Sequence, residues 1–239
     1  MTFQVAFLVG GFGTRLGALT KTTPKPLLPV RGRPFLDYLI DRASYQGAGE
    51  VLLIAGYLGE QIQARYQGQS RNQTRISVVV EREPCGTAGA LRFAAAALHA
   101  DFVLANGDTY FDVPLDGLMR PCARLVRMAV RHVDDAARYG AINLEPDRTI
   151  TGFSERGAGG PGLVNGGIYR MDRRVIARIP PSGTCSLERD VFPGLAAEGL
   201  IEGEVFAGVF IDIGVPEDLA RAQALIPADA ASPAKGRGS

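Results

Sequence analysis

The sequence predicts an α/β protein built on a mostly parallel, mixed sheet flanked by helices. Short apolar runs, partly β-branched, recur at 3–9, 50–55, 75–80 and 101–105, the pattern of strands buried on both faces. Between them lie helix-like segments at 34–45, 58–66 and 87–98, and strand alternating with helix points to parallel crossover connections. Size supports the same class: at 239 residues and 46% hydrophobic content, a chain buries roughly 70% of its unfolded surface and needs no disulfide or metal to make a core.

The first strand, 3–9, stops at glycines; its apolar run is too short for a signal peptide or a membrane span. The third helix, 87–98, carries Ala at most positions and so has high helix propensity. After Asp108 the rhythm changes. Segments 125–132, 141–144, 150–154 and 163–169 read as strands separated by turns, which adds antiparallel or mixed strands. A helix is expected at 187–197 with Ser186 as its N-cap, then strands near Glu204 and Phe210. The last helix, 216–225, has Pro216 in its first turn and Val215 extended before it. Residues 1–226 read as one domain, and 227–239 (PADAASPAKGRGS) as a disordered tail. The glycine-rich stretch 157–162 reads as a loop, and as a lid over substrate in a sharper reading.

Charge excludes several partners. Lys+Arg 26 against Asp+Glu 25 leaves a net charge of +1, without the basic excess expected of a protein attracted to nucleic acid or anionic membrane. Cys85, Cys122 and Cys185 are odd in number and fit no metal spacing, so they read as reduced thiols of a cytoplasmic protein. His99 and His132 have no metal-spacing partner and read as structural or surface residues. The apolar stretch 206–211 suits either a core strand or the contact of a homo-oligomer.

The chemistry starts in the loop after the first strand, Val9-Gly10-Gly11-Phe12-Gly13-Thr14-Arg15-Leu16. Glycines there free the backbone to turn its N–H groups toward an anion. Arg15 adds a planar fork for phosphate oxygens, and Lys25, inside Pro24-Lys25-Pro26, adds a compact charge on a stiff backbone. Together they suit a triphosphate. A dinucleotide fingerprint starting at Gly11 would need glycine where Leu16 stands, and Gly-Lys-Ser/Thr occurs nowhere, so neither the oxidoreductase nor the Walker reading fits.

GGFGTRL followed by TTPKPLLPV resembles the signature of the sugar-1-phosphate nucleotidylyltransferases. That family joins a nucleoside triphosphate to a sugar 1-phosphate and releases pyrophosphate. The resemblance implies a Rossmann-like, glycosyltransferase-A-like nucleotidyltransferase fold and a set of landmarks downstream. Glu83, Gly86 and Thr87, in Glu83-Pro84-Cys85-Gly86-Thr87-Ala88-Gly89, fall in the segment that meets base and ribose, although a plain helix cap at Thr87 is the simpler local reading. Asn106-Gly107-Asp108 closes the fourth strand, and Asp108 together with Asp212 matches the carboxylates that bind Mg²⁺. Tyr139, Gly140, Glu155 and Asn165 match segments that hold the sugar; Arg156 stands where many relatives carry the lysine that grips the sugar phosphate. Residues 186–190 and the ending FIDIGVPEDLARAQ look most like the branch that uses D-glycero-D-manno-heptose 1-phosphate and GTP, with thymidylyl-, uridylyl-, cytidylyl- and mannose-1-phosphate guanylyl-transferring relatives sharing most signatures. The alternative from another class is a nucleotide-sugar-binding subunit without turnover.

Overall fold

The structure, a computed structural model, describes residues 2–137, 141–153 and 159–228. The first half runs β1 (Phe3–Leu8), a ribbon of β2 (Pro29–Val30) and β3 (Arg33–Pro34), α1 (Phe35–Tyr45), β4 (Ala48–Ala55), α2 (Gly59–Tyr66), β5 (Ser70–Arg71), β6 (Thr74–Val80), α3 (Gly86–Phe93) and β7 (Asp101–Asn106). The second half runs β8 (Thr109–Phe111), α4 (Leu115–Leu118), β9 (Val126–Val133), β10 (Ile142–Leu144), β11 (Ile150–Phe153) and β12 (Gly162–Asp172). It closes with α5 (Phe192–Ala197), β13 (Ile201–Phe206), β14 (Phe210–Asp212) and α6 (Pro216–Leu225).

Eight strands form the main sheet in the order β13-β9-β12-β7-β1-β4-β6-β5. The block β7-β1-β4-β6 is parallel. β12 runs antiparallel to both β7 and β9, and β13 is parallel to β9. The carboxyl ends of the parallel block therefore share one edge, where open α/β sheets collect ligands.

The continuous apolar runs are explained by burial on both faces. Val5, Phe7, Val51, Leu53 and Val103 point into one core with α1 residues Phe35 and Leu39. The alternate residues Ala6, Leu52, Ile54 and Leu104 point into the other, with Ala88 and Leu91 of α3 and Phe192 of α5. Among the described residues no helix is long and apolar enough to cross a membrane.

Most expected elements appear within one or two residues of their expected bounds. The expected 187–197 helix divides into a π turn, Leu187–Val191, and α5. Pro193 supplies the reason, since it has no N–H to continue the ladder. Ser186 does cap, accepting from the Arg189 N–H at 3.4 Å. The expected 87–98 helix ends at Phe93 and continues as a 3-10 turn, Ala95–Ala97, after which Leu98 is extended and buried. The 206–211 stretch is divided too: Phe206 ends β13, and both it and Phe210 of β14 pack edge-on against the core ring of Phe111, at 6.4 and 5.2 Å.

Candidate active site

A cleft of about 360 Å³ opens at the carboxyl edge of the parallel strands. Its floor is the ends of β1, β4 and β7, and its rim carries Gly10, Gly11, Phe12, Lys25, Glu81, Gly86, Thr87, Asp108 and Glu188. Val9, Asn106 and Gly107 also line it.

On one side stands the glycine loop. Gly13 takes φ +63°, and a Cβ there would meet Thr20 Cγ2 at 2.8 Å. Its carbonyl closes the turn by accepting from the Leu16 N–H at 2.9 Å and the Thr20 hydroxyl at 3.1 Å. The backbone N–H groups of Gly10, Gly11 and Phe12 find no acceptor among the described residues. Unpaired donors at a cleft edge are what an anion cradle requires.

Behind the loop two carboxylates converge on one lysine. β8 pairs antiparallel with β14 so that Thr109 faces Asp212, and the Ile213 N–H donates to the Asp108 carbonyl at 2.9 Å. This ribbon brings Asp108 and Asp212 together across the chain. Lys25, only 7% exposed, donates to Asp108 Oδ2 at 2.6 Å and lies 3.6 Å from Asp212 Oδ1. Arg15 joins them: a Cβ on Gly214 would lie 2.8 Å from Asp212 Oδ1, 3.0 Å from Arg15 Nη2 and 3.4 Å from Lys25 Nζ. Burial, then the charge of Asp108, push the Asp212 carboxyl above its ordinary range, with Lys25 opposing. Asp212 Oδ1 is buried with no hydrogen-bond partner. A hard divalent cation commonly takes one or two protein carboxylates and fills its remaining positions with phosphate oxygens and water, so this pair with an orphaned oxygen fits Mg²⁺. No larger cage of His, Cys, Asp or Glu exists among the described residues.

The opposite wall is stitched from two loops. Gly86 takes φ +76°, and a Cβ there would meet the Cys185 carbonyl oxygen at 2.4 Å, so its glycine serves the approach of the 185 loop. That carbonyl accepts from the Ala88 and Gly89 N–H groups at 3.0 and 3.2 Å. The helix cap expected of Thr87 is thus replaced by a backbone carbonyl, and Cys85 holds the N-cap position without a side-chain bond. The Thr87 hydroxyl instead accepts from the Leu187 N–H at 2.8 Å and donates to Glu188 Oε2 at 2.9 Å. Ser186 donates to the same oxygen at 2.9 Å.

Among the other expected residues, Glu83 is exposed and Thr14 and Glu83 do not line the cleft. Glu81, two residues earlier, does line it. Asn165 is committed internally, donating from Nδ2 to the Tyr169 hydroxyl at 2.7 Å and accepting the Gly167 N–H at 2.8 Å. Tyr139, Gly140, Glu155 and Arg156 lie outside the described residues, as do Gly157 and Ala158 of the 157–162 lid candidate. Sequence reasoning missed Glu81 and Glu188. Glu188 falls in the 186–190 segment, where it had no role of its own; Glu81 carried no local signal beyond closing the third strand.

The cleft combines an anion cradle with a lysine-bridged carboxylate pair at the carboxyl edge of a parallel sheet, and the chain belongs to the nucleotidyl transferase family, whose model matches residues 5–228. It is a sugar-1-phosphate nucleotidylyltransferase, as GGFGTRL and TTPKPLLPV imply. The chain is similar to D-glycero-alpha-D-manno-heptose 1-phosphate guanylyltransferase of Campylobacter jejuni, at 32% identity over 218 residues, covering 90% of this chain and 96% of the relative. It is also similar to mannose-1-phosphate guanylyltransferase of Mycobacterium tuberculosis, at 36% identity over 235 residues, covering 95% of this chain and 66% of the relative. HddC from Yersinia pseudotuberculosis complexed with GMP-PN superposes with a TM-score of 0.82 at 29% identity, over 93% of this chain and 98% of that one.

Proposed function

We propose that the chain transfers the guanylyl group of GTP to D-glycero-α-D-manno-heptose 1-phosphate, with pyrophosphate leaving. The observation that carries the guanine half of the reading is Glu81. It lines the cleft, and its Oε1 is buried with no hydrogen-bond partner among the described residues. A carboxylate offers two acceptors side by side, and guanine alone among the common bases presents a ring N–H next to an amino group to meet them. Burying such an oxygen without a partner costs free energy that a ligand donor would recover. The names of the relatives in Campylobacter jejuni and Mycobacterium tuberculosis agree on guanylyl transfer. The first of them, matched over 96% of its own length, supplies the heptose.

In the mechanism a phosphate oxygen of the sugar 1-phosphate attacks the α-phosphorus of the triphosphate in line with the leaving pyrophosphate. A phosphate monoester with a second pKa near about 6 is already largely ionised at neutral pH, so no general base is needed. Catalysis is positioning and charge neutralisation. The N–H groups of residues 10–12 and the Arg15 guanidinium hold the phosphates, and Lys25 balances charge at the reacting phosphorus. Asp108 and Asp212 would hold Mg²⁺, which supplies Lewis-acid stabilisation of phosphate charge when bound. On the far wall the Thr87–Glu188–Ser186 array fixes a carboxylate suited to accept from sugar hydroxyls.

The test is pyrophosphate release over a grid of GTP, UTP, dTTP, CTP and ATP against manno-heptose, mannose, glucose and N-acetylated hexose 1-phosphates, with Mg²⁺ and with EDTA. The expected result is one dominant cell, GTP with the manno-heptose 1-phosphate, silenced by EDTA. A dominant cell elsewhere overturns the substrate reading, and activity in EDTA overturns the metal.

A further inference from the structure

The glycine loop has one large side chain, and the phosphate chemistry leaves it unused. Phe12 sits between Gly11 and Gly13, 50% exposed as a residue, and it lines the cleft. A phosphate cradle needs backbone N–H groups, not an aromatic ring. The ring is nonetheless held in place. It packs against Tyr57 with ring centroids 5.1 Å apart and planes at 42°. Tyr57 is itself fixed at both ends, its N–H donating to the Gly10 carbonyl at 3.1 Å and its hydroxyl to the Lys21 carbonyl at 3.1 Å. Gln61 adds a second clip from α2, donating to the Thr22 carbonyl at 2.9 Å.

Position gives this pair its meaning. Gly10 and Gly56, the residues joined to the Phe12–Tyr57 pair by the chain, crowd the Glu81 carboxylate: a Cβ on either would lie 3.1 or 3.0 Å from Glu81 Oε2. The aromatic pair therefore hangs from the two backbone segments that flank the Glu81 carboxylate. A base whose donor edge meets Glu81 presents a flat, apolar face to its surroundings, and the glycines of the loop give that face nothing to rest on.

We propose that Phe12 is a nucleotide-contact residue, the aromatic wall on which the purine of the substrate rests, with Tyr57 as the residue that positions it. This deepens the guanylyl reading and rests on it. Contact between a base and an aromatic ring is sequence-tolerant in itself because every base has a π-face, while Glu81 would read the edge. The two together separate affinity from selectivity.

The experiment compares Phe12→Ala and Phe12→Leu with wild type in binding and turnover. From the usual strength of base–aromatic contacts, Phe12→Ala is expected to weaken GTP binding by about 5-fold to about 100-fold with kcat within about 3-fold, and Phe12→Leu to fall between. Inorganic tripolyphosphate, which has phosphates and no base, is the control: its inhibition constant is expected to stay unchanged in Phe12→Ala. Weakening of tripolyphosphate by the same factor as GTP would show that the variant has disturbed the phosphate loop, and would overturn the proposal. So would an unchanged KM for GTP. The chain contains no tryptophan, so Phe12→Trp is a single-fluorophore reporter expected to be quenched by GTP and not by tripolyphosphate. Should wild type prefer another nucleotide, the guanylyl reading fails by itself; the same comparison is then run with that nucleotide, and less than a twofold effect of Phe12→Ala overturns the aromatic wall as well.

Discussion

The two ends of the cleft solve opposite problems. At the phosphate end the charges offset one another, Lys25 bridging Asp108 and Asp212 with Arg15 beside them, and among the described residues only Asp212 Oδ1 there is buried without a hydrogen-bond partner. At the other end Glu81 has a buried oxygen with no hydrogen-bond partner, and burial pushes its carboxyl above the ordinary range, opposed only by the Cys85 N–H. A self-neutralised cluster holds its geometry before substrate arrives, which is what charge stabilisation in a transition state requires. An unsatisfied acceptor does the reverse: it raises the energy of the empty site and lowers it selectively for a ligand with the matching donors. On the proposed reading, rate belongs to the first end and choice of base to the second.

Removing charge at the phosphate end breaks this comparison most severely. Lys25→Ala and Asp108→Ala are each expected to lower kcat by on the order of 100-fold or more, with circular dichroism showing the fold retained. Near-normal turnover in either would remove that residue from the chemistry.

The next largest effect belongs to Glu81→Gln. Loss of a hydrogen bond to a charged acceptor, about 1.5–3 kcal/mol, corresponds to roughly 10-fold to 100-fold in kcat/KM for GTP. Pyrimidine triphosphates, which do not offer the paired donors, are expected to lose far less. A uniform loss over all nucleotides would make Glu81 a structural residue.

Stability and pH sharpen the contrast further. An acid whose folded pKa is raised destabilises the fold in its charged form, so its cost appears as pH rises from the unfolded value through the folded one. Glu81→Gln is therefore expected to raise the melting temperature at pH 7 and to leave it nearly unchanged at pH 4. Protonating Glu81 removes an acceptor, so GTP affinity is expected to fall more steeply with falling pH in wild type than in the variant; equal slopes in both would place the titration elsewhere.

The smallest expected effect tests the far wall. Gly86→Ala places a Cβ 2.4 Å from the Cys185 carbonyl oxygen at a positive φ, at a cost of about 1 kcal/mol or more. The readout is a lower melting temperature with a modest rise in both substrate KM values.

The parallel half of the fold was legible because its signal is local. A strand buried on both faces has to be apolar at nearly every position, and 5–8, 51–55 and 102–105 are. The phosphate loop was legible for a similar reason, since glycines, Arg15 and Lys25 announce their chemistry by type. β14 was expected as a strand near Phe210, but β8 and the pairing of the two were not legible, because strands of three residues carry no period and the Phe111–Phe210 contact joins distant parts of the chain. Glu81 was hidden because its role comes from what fails to approach it. Thr87 was misread locally as a cap because the carbonyl that caps α3 arrives from Cys185, far along the chain.

The ribbon has a consequence for how the enzyme comes into being. Asp108 and Lys25 lie in the first half of the chain and Asp212 near its end, and β14 is the strand that delivers Asp212 to them. In chain order the parallel block and its glycine loop come first and the second carboxylate comes last. A chain ended before β14 would lack Asp212 and with it one of the two carboxylates that converge on Lys25.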